Sequence, residues 1–486
     1  MKAINIFVDR YKGLALPVKA SLWFLICSFL QKGISVITTP IFTRLLSTEE
    51  YGQYSVFNSW YGIALILIAL SLTSGVHSQG IVKYEEDRDV FTSSLLGLTL
   101  TSAAIWTLAY VLFRDYWNNI LGLSTIQVLC MLSLVVTSSI FNFWANVERV
   151  DFKYRTLVAV TLLVSVFKPL LSILFIIHAQ DKVTARILGM VIVESIAYTW
   201  MCLVQIKRGK ILFSKKYWAY ALAFNLPLIP HYLSQTVLNS ADRIMIERMI
   251  GAGEAGIYNL AYSVALIMTL FNTALMQTIS PWMYRKIKEK KEKDIAPIAY
   301  STLIIIAVVN LMLILMAPEV VAIFAPKPYY QAIWVIPPIA LSAFFMYAYD
   351  LFAKFAFYYE KTGFIMTASV MGAALNVVLN YYFIQKYGFV AAGYTTLVCF
   401  ILYAFGHYVF MRKVCREFCD QRYPYDTKVI VMIAVPFLFT GFLLLLTYSH
   451  PVLRYSIFAA ALVSCMVCRK KILSRFNRIF SLKKEK

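Results

Sequence analysis

The sequence predicts an all-α polytopic membrane protein with about fourteen transmembrane helices: two six-helix bundles related by parallel pseudo-symmetry, then two extra C-terminal helices. Three observations lead there. Of 486 residues, 60% are hydrophobic and only 15% charged, with a mean hydropathy of +0.68. Soluble domains carry about 45–50% apolar and about 25% charged residues, so the excess must be hidden from water by a bilayer. The apolar residues also fall into runs of membrane-crossing length, and the chain repeats itself across half its length.

In chain order, the spans are read near residues 18–44, 51–74, 90–113, 125–148, 155–178, 183–206, 218–241 and 255–281, then 295–317, 331–353, 362–385, 389–411, 428–448 and 451–468. The first run lacks a small-residue cleavage motif and exceeds a signal-peptide core, so it reads as a retained helix. The distribution of positive charge tests the count. With the N-terminus inside, 35 of the 46 Lys and Arg residues fall in cytoplasmic segments and six in external loops. The other five, Lys32, Arg44, Lys168, Arg186 and Arg454, lie within spans or at their edges. This alternation places both termini in the cytoplasm.

A shift of 204 residues lays Gln31, Arg44, Glu50, Gly52 and Tyr54 on Gln235, Arg248, Glu254, Gly256 and Tyr258. Span one thus matches span seven. Because six spans separate them, the halves share one orientation, the parallel-repeat arrangement of many transporters. The expected division is 1–207, 208–411, and 412–486 for the additional spans and a basic tail.

The composition excludes a soluble enzyme, a disordered chain and a disulfide-stapled secreted domain. The net charge of +21 sits between apolar runs, where cytoplasmic loops face anionic lipid, and so argues against nucleic acid. Five histidines without HxxxH spacing, and Cys465-x-x-Cys468 without a second ligand pair, give no case for a metal or other cofactor.

Polar side chains inside the spans are the candidate chemistry. Span one carries Ser28, Gln31/Lys32, Ser35, Thr38/Thr39 and Thr43, and span seven carries Tyr232, Gln235/Thr236, Asn239 and Asp242/Arg243. Spacings of three and four put each set on one helical face, which lines a cavity or hydrogen-bonds to a neighbouring helix. Lys32 and Lys168 are the basic residues deepest in the runs, and Arg44 and Arg248 end their helices at matched positions. Together they suit an anionic substrate such as a phosphate or pyrophosphate, the alternative being charges satisfied by partners or anchored at the interface. Lys168 precedes Pro169, which favours a local break. Pro40, Pro227, Pro230, Pro337 and Pro338 are expected to interrupt spans one, seven and ten. The carboxylates Glu194, Asp350 and Asp242 are candidates for coupling transport to an ion gradient. For Asp350 an ion pair with Lys354 at i+4 is the simpler account; Asp242 adjoins Arg243 near a helix end.

The stretch Pro40-Ile-Phe-Thr-Arg44-Leu-Leu-Ser-Thr-Glu-Glu50-Tyr-Gly52-Gln-Tyr54 resembles the opening signature of bacterial polysaccharide flippases. Asn239-Ser-Ala-Asp242-Arg243-Ile-Met-Ile, followed by Gly256-Ile-Tyr258, resembles their mid-chain signature, and Tyr387-Gly388-Phe-Val-Ala-Ala-Gly393 fits their glycine-rich turn. These are the Wzx-type O-antigen and capsule flippases of the multidrug/oligosaccharidyl-lipid/polysaccharide exporter superfamily. The resemblance implies a V-shaped pair of bundles moving undecaprenyl-pyrophosphate-linked oligosaccharide across the bacterial inner membrane, with a cationic lumen, alternating access and ion coupling. It implies Lys32 and Arg44 as pyrophosphate contacts, spans thirteen and fourteen near the polyprenyl tail, and polymerase and chain-length machinery as partners. Gln31, Lys168, Gln235, Asn239 and Arg248 complete the expected binding set. The rivals are a multidrug exporter of the same superfamily, whose cationic substrates suit a lysine-bearing cleft poorly, and a membrane polymerase or ligase, which needs a sizeable external loop.

Overall fold

The computed structural model describes residues 15–265 and 267–467; these form helices and turns, with no β-strand among them. Eleven helical stretches are long and apolar enough to cross a membrane, and Pro451–Ser464 is a shorter apolar helix. Thr48–Ile68 and the broken pair Lys215–Asn225 and Ile229–Met249 bring every expected span a helical counterpart. The protein is therefore a multi-pass membrane protein. The chain divides into two compact units, Met1–Thr236 and Val237–Lys486.

The first unit contains α1 (Leu16–Leu45), α2 (Thr48–Ile68), α3 (Val76–Lys83), α4 (Arg88–Leu112), α5 (Arg114–Leu121), α6 (Thr125–Val150), α7 (Tyr154–His178), α8 (Lys182–Gly209) and α9 (Lys215–Asn225). The unit boundary falls inside α10 (Ile229–Met249). Glu50, one of the repeated residues, begins α2: Ser47 Oγ accepts from the Glu50 backbone at 3.1 Å while Glu50 Oε2 accepts from the Ser47 backbone at 2.8 Å. This reciprocal cap satisfies two amides that the helix start leaves unpaired. Phe57, Leu134, Val135 and Ile187 anchor one apolar cluster of the unit, and Phe91, Leu95, Leu96 and Phe143 another. The crossing of α7 and α8 depends on Gly189, where a Cβ would stand 2.6 Å from the Ser172 backbone. No larger residue allows this approach without moving a helix.

The second unit contains α11 (Ala252–Ala265), α12 (Ile267–Lys288), α13 (Ala296–Leu315), α14 (Ala317–Phe324), α15 (Ile336–Tyr358), α16 (Thr362–Tyr387), α17 (Ala391–Phe418), α18 (Thr427–Leu445) and α19 (Pro451–Val467). Its apolar core is built on α15, whose Phe344, Tyr347, Leu351 and Phe355 are almost wholly buried.

Several local expectations are corrected. Pro40 and Pro169 lie inside α1 and α7, yet both helices run on. Neighbouring helices tolerate the one backbone bond a proline removes. Pro337 and Pro338 open α15 rather than interrupt it, because the first turn has no amide bond to lose. Pro227 does sit at a break, in the turn Leu226–Leu228 between α9 and α10. Span two ends at Ile68, where Leu70 and Ser71 turn the chain with positive φ of 53° and 50°. Cys468 and the basic tail beyond it lie outside the described residues.

Candidate functional site

The polar stripe of α1 faces a cavity of about 270 Å³ in the first unit. Gln31, Ser35, Thr38 and Phe42 supply one wall, Ser165, Lys168, Pro169 and Ser172 of α7 a second, and Arg186 and Met190 of α8 a third, with Tyr54 of α2. The turn spacing of α1 explains its wall: Gln31, Ser35, Thr38 and Phe42 succeed one another by three or four residues. Gln31 Nε2 donates to Ser165 Oγ at 3.2 Å, tying α1 to α7.

Two cations meet this cavity in different states. Lys168 Nζ is ion-paired with Glu194, whose side chain is only 5% exposed. Glu194 Oε2 also accepts from Thr137 at 2.7 Å and Ser138 at 3.2 Å, so α6, α7 and α8 converge on one carboxylate. Among the described residues Arg186 forms no such pair. Its guanidinium carbon lies 3.4 Å from the Tyr54 ring centre and 3.8 Å from that of Phe42. The residue is 8% exposed, and Nη1 is buried with no hydrogen-bond partner. Ser172 Oγ donates to the Arg186 carbonyl at 2.9 Å, at the crossing Gly189 allows, and fixes this turn of α8 against α7.

In the second unit the polar face of α10 meets α11, α16 and α17. Asp242 is fully buried, and its carboxylate accepts from Tyr258 at 2.6 Å, Asn380 at 2.6 Å and Thr396 at 3.1 Å, all neutral donors. Asn380 in turn donates to Asn376 at 3.2 Å and accepts from Thr395. Arg243 points elsewhere: Nη1 donates to the Asn239 carbonyl at 2.5 Å, Nε donates to Asn259 at 3.1 Å, and the group lies 4.0 Å from the Tyr262 ring centre. The repeat-related tyrosines thus serve both units. Tyr54 lies beneath Arg186, and Tyr258 donates to Asp242.

The remaining sequence candidates are dispersed. Lys32 is exposed on α1, one residue and about 100° of helix turn from Gln31. Arg44 is exposed and returns a bond of 2.8 Å to the Pro40 carbonyl. Arg248 is exposed near the end of α10, and Gln235 is half-buried on the same helix. Asn239 Oδ1 accepts from Tyr262 at 3.2 Å. Asp350 holds Lys354 at 2.6 Å on one face of α15. Arg186, Asn376, Asn380, Thr395 and Thr396 were not singled out from the sequence. No cluster of three His, Cys, Asp or Glu residues able to hold a metal occurs among the described residues.

A family model described as polysaccharide biosynthesis protein matches residues 18–287, and one described as MatE matches residues 227–382. The chain is 24% identical over 378 residues to the Haemophilus influenzae protein named Lsg locus putative protein 1, covering 74% of this chain and 89% of that one. It is 21% identical over 459 residues to an uncharacterized membrane protein of Methanocaldococcus jannaschii, covering 87% and 89%. Its structure is similar to that of the lipid II flippase MurJ in an inward closed conformation, with a TM-score of 0.67, 15% identity, and coverage of 93% and 99%. An inward-facing multidrug resistance MATE family transporter of the MOP superfamily aligns with a TM-score of 0.59 and 12% identity, covering 80% and 96%. At such identities these likenesses establish the fold, which is that of MOP superfamily transporters.

Proposed function

The chain belongs to the polysaccharide biosynthesis protein family, and on that premise we propose that it is a flippase for undecaprenyl-pyrophosphate-linked oligosaccharide. It carries an O-antigen or capsule repeat unit from the cytoplasmic to the outer face of the bacterial inner membrane by alternating access, without making or breaking bonds. The observation that carries this reading is the cavity bearing polar side chains among membrane-length helices of the first unit, where Arg186 supplies positive charge that no acidic side chain among the described residues answers. A polar surface of this kind is costly inside a bilayer unless something hydrophilic uses it. Gln31 and Lys168 line the cavity, and Lys32 and Arg44 supply further positive charge along α1 for the pyrophosphate. Gln235, Asn239 and Arg248 belong to the substrate path along α10. The excess of basic residues on alternate loops supports cytoplasmic termini.

Asp242 is the strongest of the coupling candidates, because its hydrogen-bond partners are neutral while Glu194 and Asp350 hold lysines. A buried carboxylate that no cation hydrogen-bonds gains most by taking up a proton or a sodium ion. The MatE match over residues 227–382 supports a second reading, a multidrug exporter. Against it, Arg186 would repel the cationic drugs such exporters commonly move.

The test is reconstitution into liposomes with a labelled lipid-linked oligosaccharide, an imposed ion gradient, and an external glycosidase. Protein-dependent change in head-group accessibility with the glycan intact supports the flippase. Extension or transfer of the glycan replaces it with an enzyme. Movement of a cationic dye without movement of the glycan replaces it with a drug exporter.

A further inference from the structure

The flippase reading leaves open what part of a glycan the first-unit cavity meets, and charge counting narrows it. Lys168 is neutralised by Glu194, so the pair brings no net charge to the cavity. Arg186 brings one. Its aliphatic stem and two ring faces hold the guanidinium in place, and Nη1 lacks an acceptor although it is buried. A buried N–H of a charged group bears its full desolvation penalty until an acceptor reaches it. Because Arg186 also lines the cavity, a ligand oxygen carrying about one negative charge would answer its guanidinium there.

The rest of the lining describes what surrounds that oxygen. Thr38 Oγ1 donates to the Ser35 carbonyl at 3.1 Å and Ser165 Oγ to the Thr161 carbonyl at 2.7 Å; Ser165 already accepts from Gln31, which leaves it one lone pair, and Thr38 its own, to accept from a ligand hydroxyl. Gln31 adds an amide oxygen of the same kind. Hydroxyl donors next to a monoanion are the chemistry of a sugar acid. A doubly charged pyrophosphate diester has no hydroxyls to offer and would leave one charge unanswered here.

We infer that the cavity among α1, α7 and α8 is a subsite for an acidic sugar, with Arg186 binding its carboxylate and Gln31, Thr38 and Ser165 accepting from its ring hydroxyls. This rests on the flippase reading only for its biological setting; the binding itself is independent of transport. Arg186 thereby selects repeat units that contain a uronic acid or a related sugar acid.

Ligand-observed NMR on the full chain in detergent, with D-glucuronate, its neutral methyl ester, D-glucose and inorganic pyrophosphate, tests it. Glucuronate is expected to bind at least about tenfold more tightly than the ester or glucose, the size of a charge-assisted hydrogen bond. Pyrophosphate is expected not to displace it at equal concentration. Arg186→Lys keeps the charge and loses the fork, so it should weaken glucuronate about tenfold and leave the order of ligands unchanged. Arg186→Gln should erase the preference for the acid; if that variant does not fold, the wild-type ranking and Arg186→Lys decide. Equal binding of acid and ester, displacement by pyrophosphate, or indifference to Arg186→Lys each overturns the subsite. In the liposome assay, neutral and acidic lipid-linked repeat units are compared. Movement of neither removes the flippase reading and leaves the NMR result standing. Equal movement of both, with no NMR preference for glucuronate, removes the subsite alone.

Discussion

Lys168 lines the cavity and also neutralises Glu194, and two changes separate these roles. Glu194 has a side chain 5% exposed and Lys168 one 26% exposed, so the pair is largely withdrawn from water. Breaking such a pair from one side costs about 3–5 kcal/mol, because the surviving charge is stranded. Glu194→Gln strands Lys168, which can still reach water, and so belongs near the lower figure of about 3 kcal/mol. Lys168→Met strands Glu194, which keeps only the hydroxyls of Thr137 and Ser138, and belongs near the upper figure. The double variant strands neither charge, so it should be more stable than Lys168→Met, and the single costs should fail to add by more than about 3 kcal/mol. Thermal unfolding of the four proteins in one detergent reads the stability cycle, and the liposome assay reads function. If Lys168 serves to hold Glu194, the double variant regains most of the transport that either single change loses. Additive destabilisation would refute the paired arrangement. A double variant that is stable but does not transport would refute the assignment of Lys168 to structure alone and give it to the substrate.

The other predictions concern separate parts of the fold. Lys32→Ala should slow transport more than Lys32→Arg at equal membrane abundance; equal rates would remove Lys32 from the pyrophosphate path. Asp242→Asn should abolish stimulation by an imposed proton or sodium gradient while Asp350→Asn leaves it, and gradient-driven transport in Asp242→Asn would move coupling elsewhere. Gly189→Ala should destabilise the first unit by about 1–3 kcal/mol through overpacking against Ser172, and an unchanged melting temperature would contradict the close crossing. Asp151 lies between α6 and α7. Burial raises its pKa, but hydrogen bonds from Lys153 and Arg88 outweigh burial and hold the carboxyl below its ordinary value. Its stabilising effect is complete above an unfolded pKa of about 3.9 and disappears as pH falls through the lower folded value. Asp151→Asn should therefore melt lower at neutral pH and converge with the parent on acidification.

The sequence was most legible where a physical period governs it. Fourteen apolar runs and the stripe Gln31, Ser35 and Thr38 follow from bilayer thickness and the helical turn, and the structure realises the helices in order. The short helices α5 and α14 escaped because eight residues leave little room for a period. Prolines misled because their effect depends on position in a helix that apolar pattern does not locate. Arg186 was passed over as a charge near a helix end. Its signal was present: Arg186, Met190 and Glu194 follow one another by four residues on one face of α8, and Glu194 was already suspected. Asn376 and Asn380 form another such pair inside an apolar run, but the bond from Asn380 to Asp242 spans 138 residues of chain and has no local signature.

The two repeats have kept a common frame and parted in charge. Span one and span seven share Gln31/Gln235 and Arg44/Arg248, and the helices after them carry Glu50/Glu254 in their first turns and present Tyr54/Tyr258. Glu50 caps its helix start and lies 3.9 Å from Lys182, both structural roles, so its repetition reports architecture. The tyrosines sit where the units differ. In the first unit the ring supports a guanidinium with no acidic partner among the described residues; in the second the hydroxyl supports a carboxylate that the neighbouring Arg243 does not hydrogen-bond. A buried charge of either sign without a direct ionic partner costs stability, so nothing in packing favours keeping two of them. A substrate anion would answer the first and a coupling cation the second. Under the flippase reading the units thus divide the work, and Arg186→Gln should alter which glycan is moved without altering the response to a gradient. Asp242→Asn should do the reverse. A variant of either site that changes both properties equally would show that the charges serve the fold in common.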